Sequence, residues 1–151
     1  MTVLSTRSLA PARRAASLAY ATYGRGAPLL FIHDVGESGE VWLPFVRPLA
    51  SHYCLIVPDL RGHGRSADLP RAESMSALVE DLRELLDAFQ LGSCVVIGHG
   101  AGGAIAARLA RDEPQRVQGV AVIRACPPQR LKKLRARIRG LLPMRQASAC
   151  S

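Results

Sequence analysis

Apolar runs alternate along the chain with segments whose apolar positions recur at three- and four-residue steps. Thr2 to Leu9 and Ser17 to Tyr23 are two strand-like runs flanking Ala10-Pro11-Ala12, which reads as a hairpin. Pro28-Leu29-Leu30-Phe31-Ile32 is a strand that ends at His33-Asp34-Val35-Gly36. A helix follows between Val41 and Ala50, with Trp42, Phe45, Val46 and Leu49 on one face. Cys54 to Val57 is an apolar strand closed by Pro58-Asp59, and Leu60 to Ser66 is a glycine-rich loop. From Ser76 to Leu91, Leu78, Val79, Leu82, Leu85, Leu86 and Phe89 form one helical face, and acids and Arg83 form the other. Ser76 is the expected N-cap of that helix and Gly92 its stop. Cys94 to Ile97 and Val117 to Ile123 are two more apolar strands. An alanine-rich helix between them runs to Asp112 and ends before Pro114. Continuously apolar strands alternating with helices predict an α/β fold: a mainly parallel sheet with helices on both faces, plus the N-terminal β-hairpin.

The sharpest local signal is Gly98-His99-Gly100-Ala101-Gly102, between the strand at Cys94 and the alanine-rich helix. Its spacing is that of a nucleophile elbow, G-x-S-x-G, in which a strained middle residue presents its side chain above the sheet. Gly98 and Gly102 are the elbow glycines, which remove side chains where the helix returns past the strand. Gly100 stands in the middle and carries no side chain, so the nucleophile position is vacant.

Composition changes this picture in three places. The chain is long enough for one domain, with 48% hydrophobic residues among 151. No apolar run is long enough to span a bilayer. The formal net charge of +8 is confined to the C-terminal segment: residues 1–123 hold 12 Lys+Arg and 12 Asp+Glu, and residues 124–151 hold the remaining 20 − 12 = 8 basic residues and no acid. That division gives a body, residues 1–123, and a basic tail, residues 124–151. In the tail Leu131, Leu134, Ile138 and Leu141 recur at helical spacing among arginines and lysines, a pattern that reads first as a remnant whose apolar stripe covers the unfinished sheet and only second as a weak membrane contact. It holds no aromatic residue for stacking on bases, so nucleic acid is not an expected partner. Arg7, Arg13 and Arg14 with no acid before Asp34 also fit a targeting segment, but Tyr20 to Gly24 leads directly into the next strand and favours the hairpin. Cys54 and Cys94 lie in apolar strands, where reduced cysteine acts as a small hydrophobe, and point to a cytoplasmic protein. The four histidines and four cysteines share no ligand spacing, so no metal is expected.

Taken together, the strand ending in His33, the loop Asp59-Leu60-Arg61-Gly62-His63-Gly64-Arg65-Ser66, the elbow, and the strand after Pro114 resemble the α/β-hydrolase superfamily. The resemblance covers residues 17 to 123, the N-terminal half of that family's domain. It implies that Gly100 occupies the nucleophile position. It also implies that the backbone N–H groups of Val35 and Ala101 are the oxyanion-hole donors, and that His33, Asp34 and His99 form the site wall. Asp34 replaces the family's usual glycine, and its carboxylate would oppose a developing oxyanion. The family's acid and base histidine follow later strands and have no counterpart in these residues. His63 and His99 read as satisfied polar residues near the sheet's C-terminal edge rather than as that base. Gly100 together with the His-Asp loop is also similar to the non-catalytic N-myc downstream-regulated branch, although the loop from Asp59 to Ser66 follows the ordinary hydrolase pattern.

The inherited chemistry implied is hydrolysis of a small ester, amide, epoxide or halide bond, with no cofactor, in a chain that is catalytically impaired as encoded. The alternatives are a non-catalytic binding or interaction module and a fragment of an inactivated hydrolase. Expected partners are a small-molecule ligand and a second copy, by self-association through an unfinished sheet edge at Val117 to Ile123. The elbow is expected to accept Ser at position 100, since the family builds the same turn with it.

Overall fold

A computed structural model of the chain describes residues 13–15 and 18–124. Six strands form one sheet: β1 (Arg13–Ala15), β2 (Leu18–Tyr23), β3 (Ala27–Ile32), β4 (Tyr53–Pro58), β5 (Cys94–His99) and β6 (Val117–Ile123). Their order across the sheet is β1-β2-β4-β3-β5-β6. The pairs β3/β4, β3/β5 and β5/β6 are parallel, and β1/β2 and β2/β4 are antiparallel. The helices are α1 (Leu43–Ala50), entered through a 3-10 turn at Gly39–Trp42, α2 (Met75–Ala88) and α3 (Ala101–Asp112).

An N-terminal hairpin is present: β1 pairs antiparallel with β2, Arg13 with Tyr20 and Ala15 with Leu18. The turn expected at Ala10-Pro11-Ala12 lies outside the described residues. Leu18, Ala19, Tyr20 and Ala21 are all core residues, buried where β2 pairs with β4. The expected strand from Thr2 to Leu9 falls outside the described residues, as does the basic tail beyond Arg124.

Alternate strand residues feed two separate cores, as the two-residue period of a strand requires. Leu29, Phe31, Leu55, Val57, Val95 and Ile97 pack with Trp42, Phe45, Val46 and Leu49 of the α1 side. Leu30, Ile32, Ile56, Val96 and Cys94 face Leu82, Leu85, Leu86, Ile105 and Leu109 of α2 and α3. Each such side chain, fully buried, contributes roughly 1.5–3 kcal/mol of transfer free energy. Cys94 is a free thiol whose burial pushes its pKa up to about 12. Cys54 is disulfide-bonded, against the expectation of a reduced side chain. No helix among the described residues is long and apolar enough to cross a membrane.

The ends of α2 also differ from the sequence pattern. Ser74, not Ser76, is the N-cap: its backbone is extended and its side chain accepts from the Ala77 N–H at 3.2 Å. At the other end Gln90 adopts a left-handed backbone, φ 52°, before Gly92 is reached. The Leu91 N–H bonds back to the Leu86 carbonyl and the Gln90 N–H to that of Asp87, which is a Schellman closure. Leu91, only 4% exposed, docks in the core, and that anchoring sets the stop two residues before the glycine.

Candidate active site

The elbow is built by close approach. A Cβ at Gly98 would overlap the backbone of Gly102, and one at Gly102 would overlap the Ile32 carbonyl. These two glycines therefore let α3 start directly behind β5 and against the end of β3. Gly100 turns the chain between them with φ 53° and ψ −124°, a region that strains any residue with a side chain.

Facing Gly100 is the turn after β3. The Glu37 N–H donates to the Asp34 carbonyl at 3.2 Å, and Gly36 in the third position has φ 85°, as a type II turn demands. The turn aims the Asp34 side chain at the elbow. Asp34 Oδ1 accepts the Ala101 N–H at 2.7 Å and the Val35 N–H at 2.8 Å. The donors that the sequence singled out at 35 and 101 thus converge on one oxygen atom, and this chain's own carboxylate supplies it. Asp34 is held below the usual carboxylate range by the Ala101 hydrogen bond foremost. Partial burial opposes that shift, and the Val35 bond adds to it.

Asp34 Oδ2 points the other way. A Cβ built on Gly100 would overlap Oδ2 and the carboxyl carbon of Asp34. A Ser at position 100, which the sequence expectation allows, therefore requires the Asp34 carboxylate to turn away from its seat. The carboxylate already fills the space in which an elbow side chain would project.

Two residues that sequence reasoning missed complete this corner. Glu37 Oε2 pairs with His99 Nδ1 at 2.9 Å and accepts the Asp34 N–H at 3.3 Å. Trp42 packs its ring edge-on against His99, and its buried Nε1 has no hydrogen-bond partner among the described residues. The spacing Asp34-x-x-Glu37 with Gly36 signals the turn, but only the fold brings Glu37 across to a histidine 62 positions later. Among the described residues no group of histidines, cysteines and carboxylates could hold a metal ion.

The model of the alpha/beta hydrolase fold matches residues 27–145, most of the chain. The chain belongs to the α/β-hydrolase fold family. The match extends past Ile123, where the sequence pattern breaks. A magnesium-chelatase 30 kDa subunit of Rhodobacter capsulatus is 41% identical over 97 residues, 63% of this chain and 34% of that protein. An (E)-2-((N-methylformamido)methylene)succinate hydrolase of Acinetobacter baylyi is 32% identical over 69% of this chain and 40% of that protein. Among solved structures, an N-acyl homoserine lactone degrading enzyme, Est816, superposes with a TM-score of 0.67 at 34% identity, covering 75% of this chain and 44% of that one. An epoxide hydrolase from hot-environment metagenomes gives 0.70 at 27% identity, covering 76% and 42%. The chain spans 28–41% of the length of these and similar curated relatives.

Within this family member the remaining polar residues hold the sheet's end together. His33 is fully buried and does not reach the site wall with its ring. Nδ1–H donates to the Asp34 carbonyl at 2.7 Å and Nε2 accepts the Leu60 N–H at 2.9 Å, so both nitrogens are spent on backbone. Burial lowers its pKa and keeps it neutral, as the accepting Nε2 requires. Asp59, also fully buried, accepts the Gly39 N–H at 2.6 Å and the Arg65 backbone N–H and Nε at 2.9 and 2.6 Å. His63 donates from Nδ1 to the Arg61 carbonyl at 2.9 Å. The loop from Asp59 to Ser66 is therefore a clamp under the site, and the buried Nε2 of its His63 has no hydrogen-bond partner among the described residues.

Proposed function

We propose that this hydrolase-family chain carries a site of the inherited kind that does not perform acyl transfer as encoded. The observation that supports this is the carboxylate of Asp34 seated on the N–H groups of Val35 and Ala101. Acyl transfer needs those two donors free for a negatively charged oxygen that appears only in the transition state. Here they are neutralised in the resting state, and a ligand carbonyl would have to displace a bound anion. Gly100 supplies no nucleophile, and the side-chain volume it lacks is taken by Asp34. The combination of Gly100 with a His-Asp loop supports a likeness to the non-catalytic N-myc downstream-regulated branch in the way catalysis is lost. Hydrolase and lactone-degrading relatives support a small molecule as ligand of this corner.

Hydrolysis of p-nitrophenyl acetate by the purified chain tests the reading. The expected rate is that of buffer, for the wild type and for Gly100→Ser. Turnover by the wild type well above buffer, abolished by denaturation, would reject it.

A further inference from the structure

We infer that the disulfide of Cys54 closes on Cys150, so that the C-terminal end of the chain is fastened covalently to the start of β4. The cysteines of the chain are Cys54, Cys94, Cys126 and Cys150. Cys54 is disulfide-bonded and Cys94 is a free thiol, which leaves Cys126 and Cys150 as partners. The sheet agrees in excluding Cys94. Cys54 pairs with Pro28 of β3, and β5 lies on the far side of β3. Two strand spacings put β4 and β5 about 10 Å apart, whereas a disulfide needs Cα atoms within about 7 Å of each other.

Reach separates the remaining two. Cys54 is level with the start of β3, at the N-terminal end of the parallel strands. β6 ends at Ile123 beside His99, at their C-terminal end, and stands three strand spacings from β4. The offset is about 16 Å along the strands and about 14 Å across them, or about 20 Å from Ile123 to Cys54 once the twist of the sheet is included. The three residues from Ile123 to Cys126 cover about 11 Å when fully extended, and the disulfide adds about 7 Å at most. The chain already bends at Arg124, and Ile105, Ala106 and Leu109 of α3 fill the straight path over that face of the sheet. Cys126 therefore falls short. Residues 124–150, extended, cover the distance several times over.

The bond gives the basic tail a second attachment, at the end of the sheet opposite the elbow. A thiol reductant unties that end alone and leaves the tail joined through β6. Cys54 is 0% exposed, in the core with Leu18, Leu30, Leu86 and Leu91, so a reductant reaches its sulfur only when that part of the core opens. Cys94 lies in the same core and does not scramble the bond. Thiolate is the attacking form, and burial pushes the Cys94 pKa up to about 12. Closing the bond takes a low-molecular-weight disulfide as oxidant. One cysteine thiolate attacks it and expels a small thiol. The other thiolate attacks the mixed disulfide and expels the second small thiol. Two cysteine thiols are oxidised, one small disulfide is reduced, and the cysteine protons end on the released thiols.

The full chain, equilibrated with oxidised glutathione and digested without reductant, should yield the peptide of Cys54 linked to that of Cys150. The closed loop restricts the unfolded chain, so the bond is also read in stability. Reductant should lower the urea midpoint of the wild type and of Cys126→Ser, and leave that of Cys150→Ser unmoved. Cys150→Ser should unfold, with or without reductant, at the midpoint of the reduced wild type. A Cys54 that stays free, or is linked to Cys94, to Cys126 or to a second chain, overturns the inference. So does a wild-type midpoint that reductant does not shift. The peptide map of the wild type decides the matter even where Cys150→Ser fails to fold.

Discussion

At the scale of the residue, Asp34 and Gly100 are one decision and not two. The carboxylate occupies the volume of a side chain at 100, and φ 53° strains any residue but glycine there. Gly100→Ser is expected to lose roughly 1–3 kcal/mol of stability, read as a lower urea midpoint at unchanged slope. In the background of Asp34→Gly the same substitution should cost less, because the clash is gone and only the backbone term remains. The two changes should therefore couple by roughly 0.5–3 kcal/mol in a double-mutant cycle, and additivity would contradict the geometry. The sequence made Gly100 legible, since the spacing of Gly98 and Gly102 marks the elbow. The resemblance put the Asp34 carboxylate near the oxyanion donors, but its seat on the Ala101 N–H, 67 positions away, depends on how β3 and β5 sit side by side.

At the scale of the element, the two ends of the sheet behave differently. β5 is buried along its length between β3 and β6, whereas β6 is an edge among the described residues and leaves Val122 45% exposed. β6 has no charged residue or proline along its seven residues, the usual devices that discourage pairing with another chain. We propose self-association through this edge. Sedimentation should show a concentration-dependent dimer that Val122→Lys diminishes, and a monomer at every concentration would discard the proposal. α2 offers a separate check on local structure. Ser74→Ala should cost about 1 kcal/mol through the lost cap, and Ser76→Ala should cost much less, reversing the order read from the sequence. Periodicity found this helix and its buried face, but two serines flank Met75, and the pattern does not choose between them. At the far end the docking of Leu91 overrode the glycine signal, because burial outweighs the modest strain of Gln90.

At the scale of the whole molecule, His33 and Asp34 at the end of β3 make stability rise with pH on the acid side. The folded-state pKa of His33 lies below its ordinary 6.5 because of burial, so the unfolded chain binds the proton more readily. Its contribution is complete above 6.5 and is lost as pH falls from there through the folded value. Asp34, depressed chiefly by the Ala101 N–H, acts lower: its contribution is complete above its ordinary 3.8 and is lost as pH falls through its folded value. Acid unfolding followed by circular dichroism should therefore show a first loss below 6.5, and Asp34→Asn should flatten only the lower limb. A variant curve unchanged below 3.8 would mean that the carboxylate is not held as described. The fold was legible at this scale because apolar strands and amphipathic helices alternate in order. The parallel neighbours β4, β3, β5 and β6 follow from that alternation. The N-terminal strands were less legible because short strands carry little pattern of their own, and β2 takes its position from burial against β4.

The overlap between Asp34 and position 100 also imposes an order on mutational history and on engineering. A chain with this turn loses stability by changing position 100 first, since a side chain there meets the carboxylate as it is seated. Changing Asp34 first opens the space, and only then does position 100 become free to vary. A library confined to the elbow would therefore favour glycine, and the less costly route to an elbow nucleophile begins 66 residues upstream.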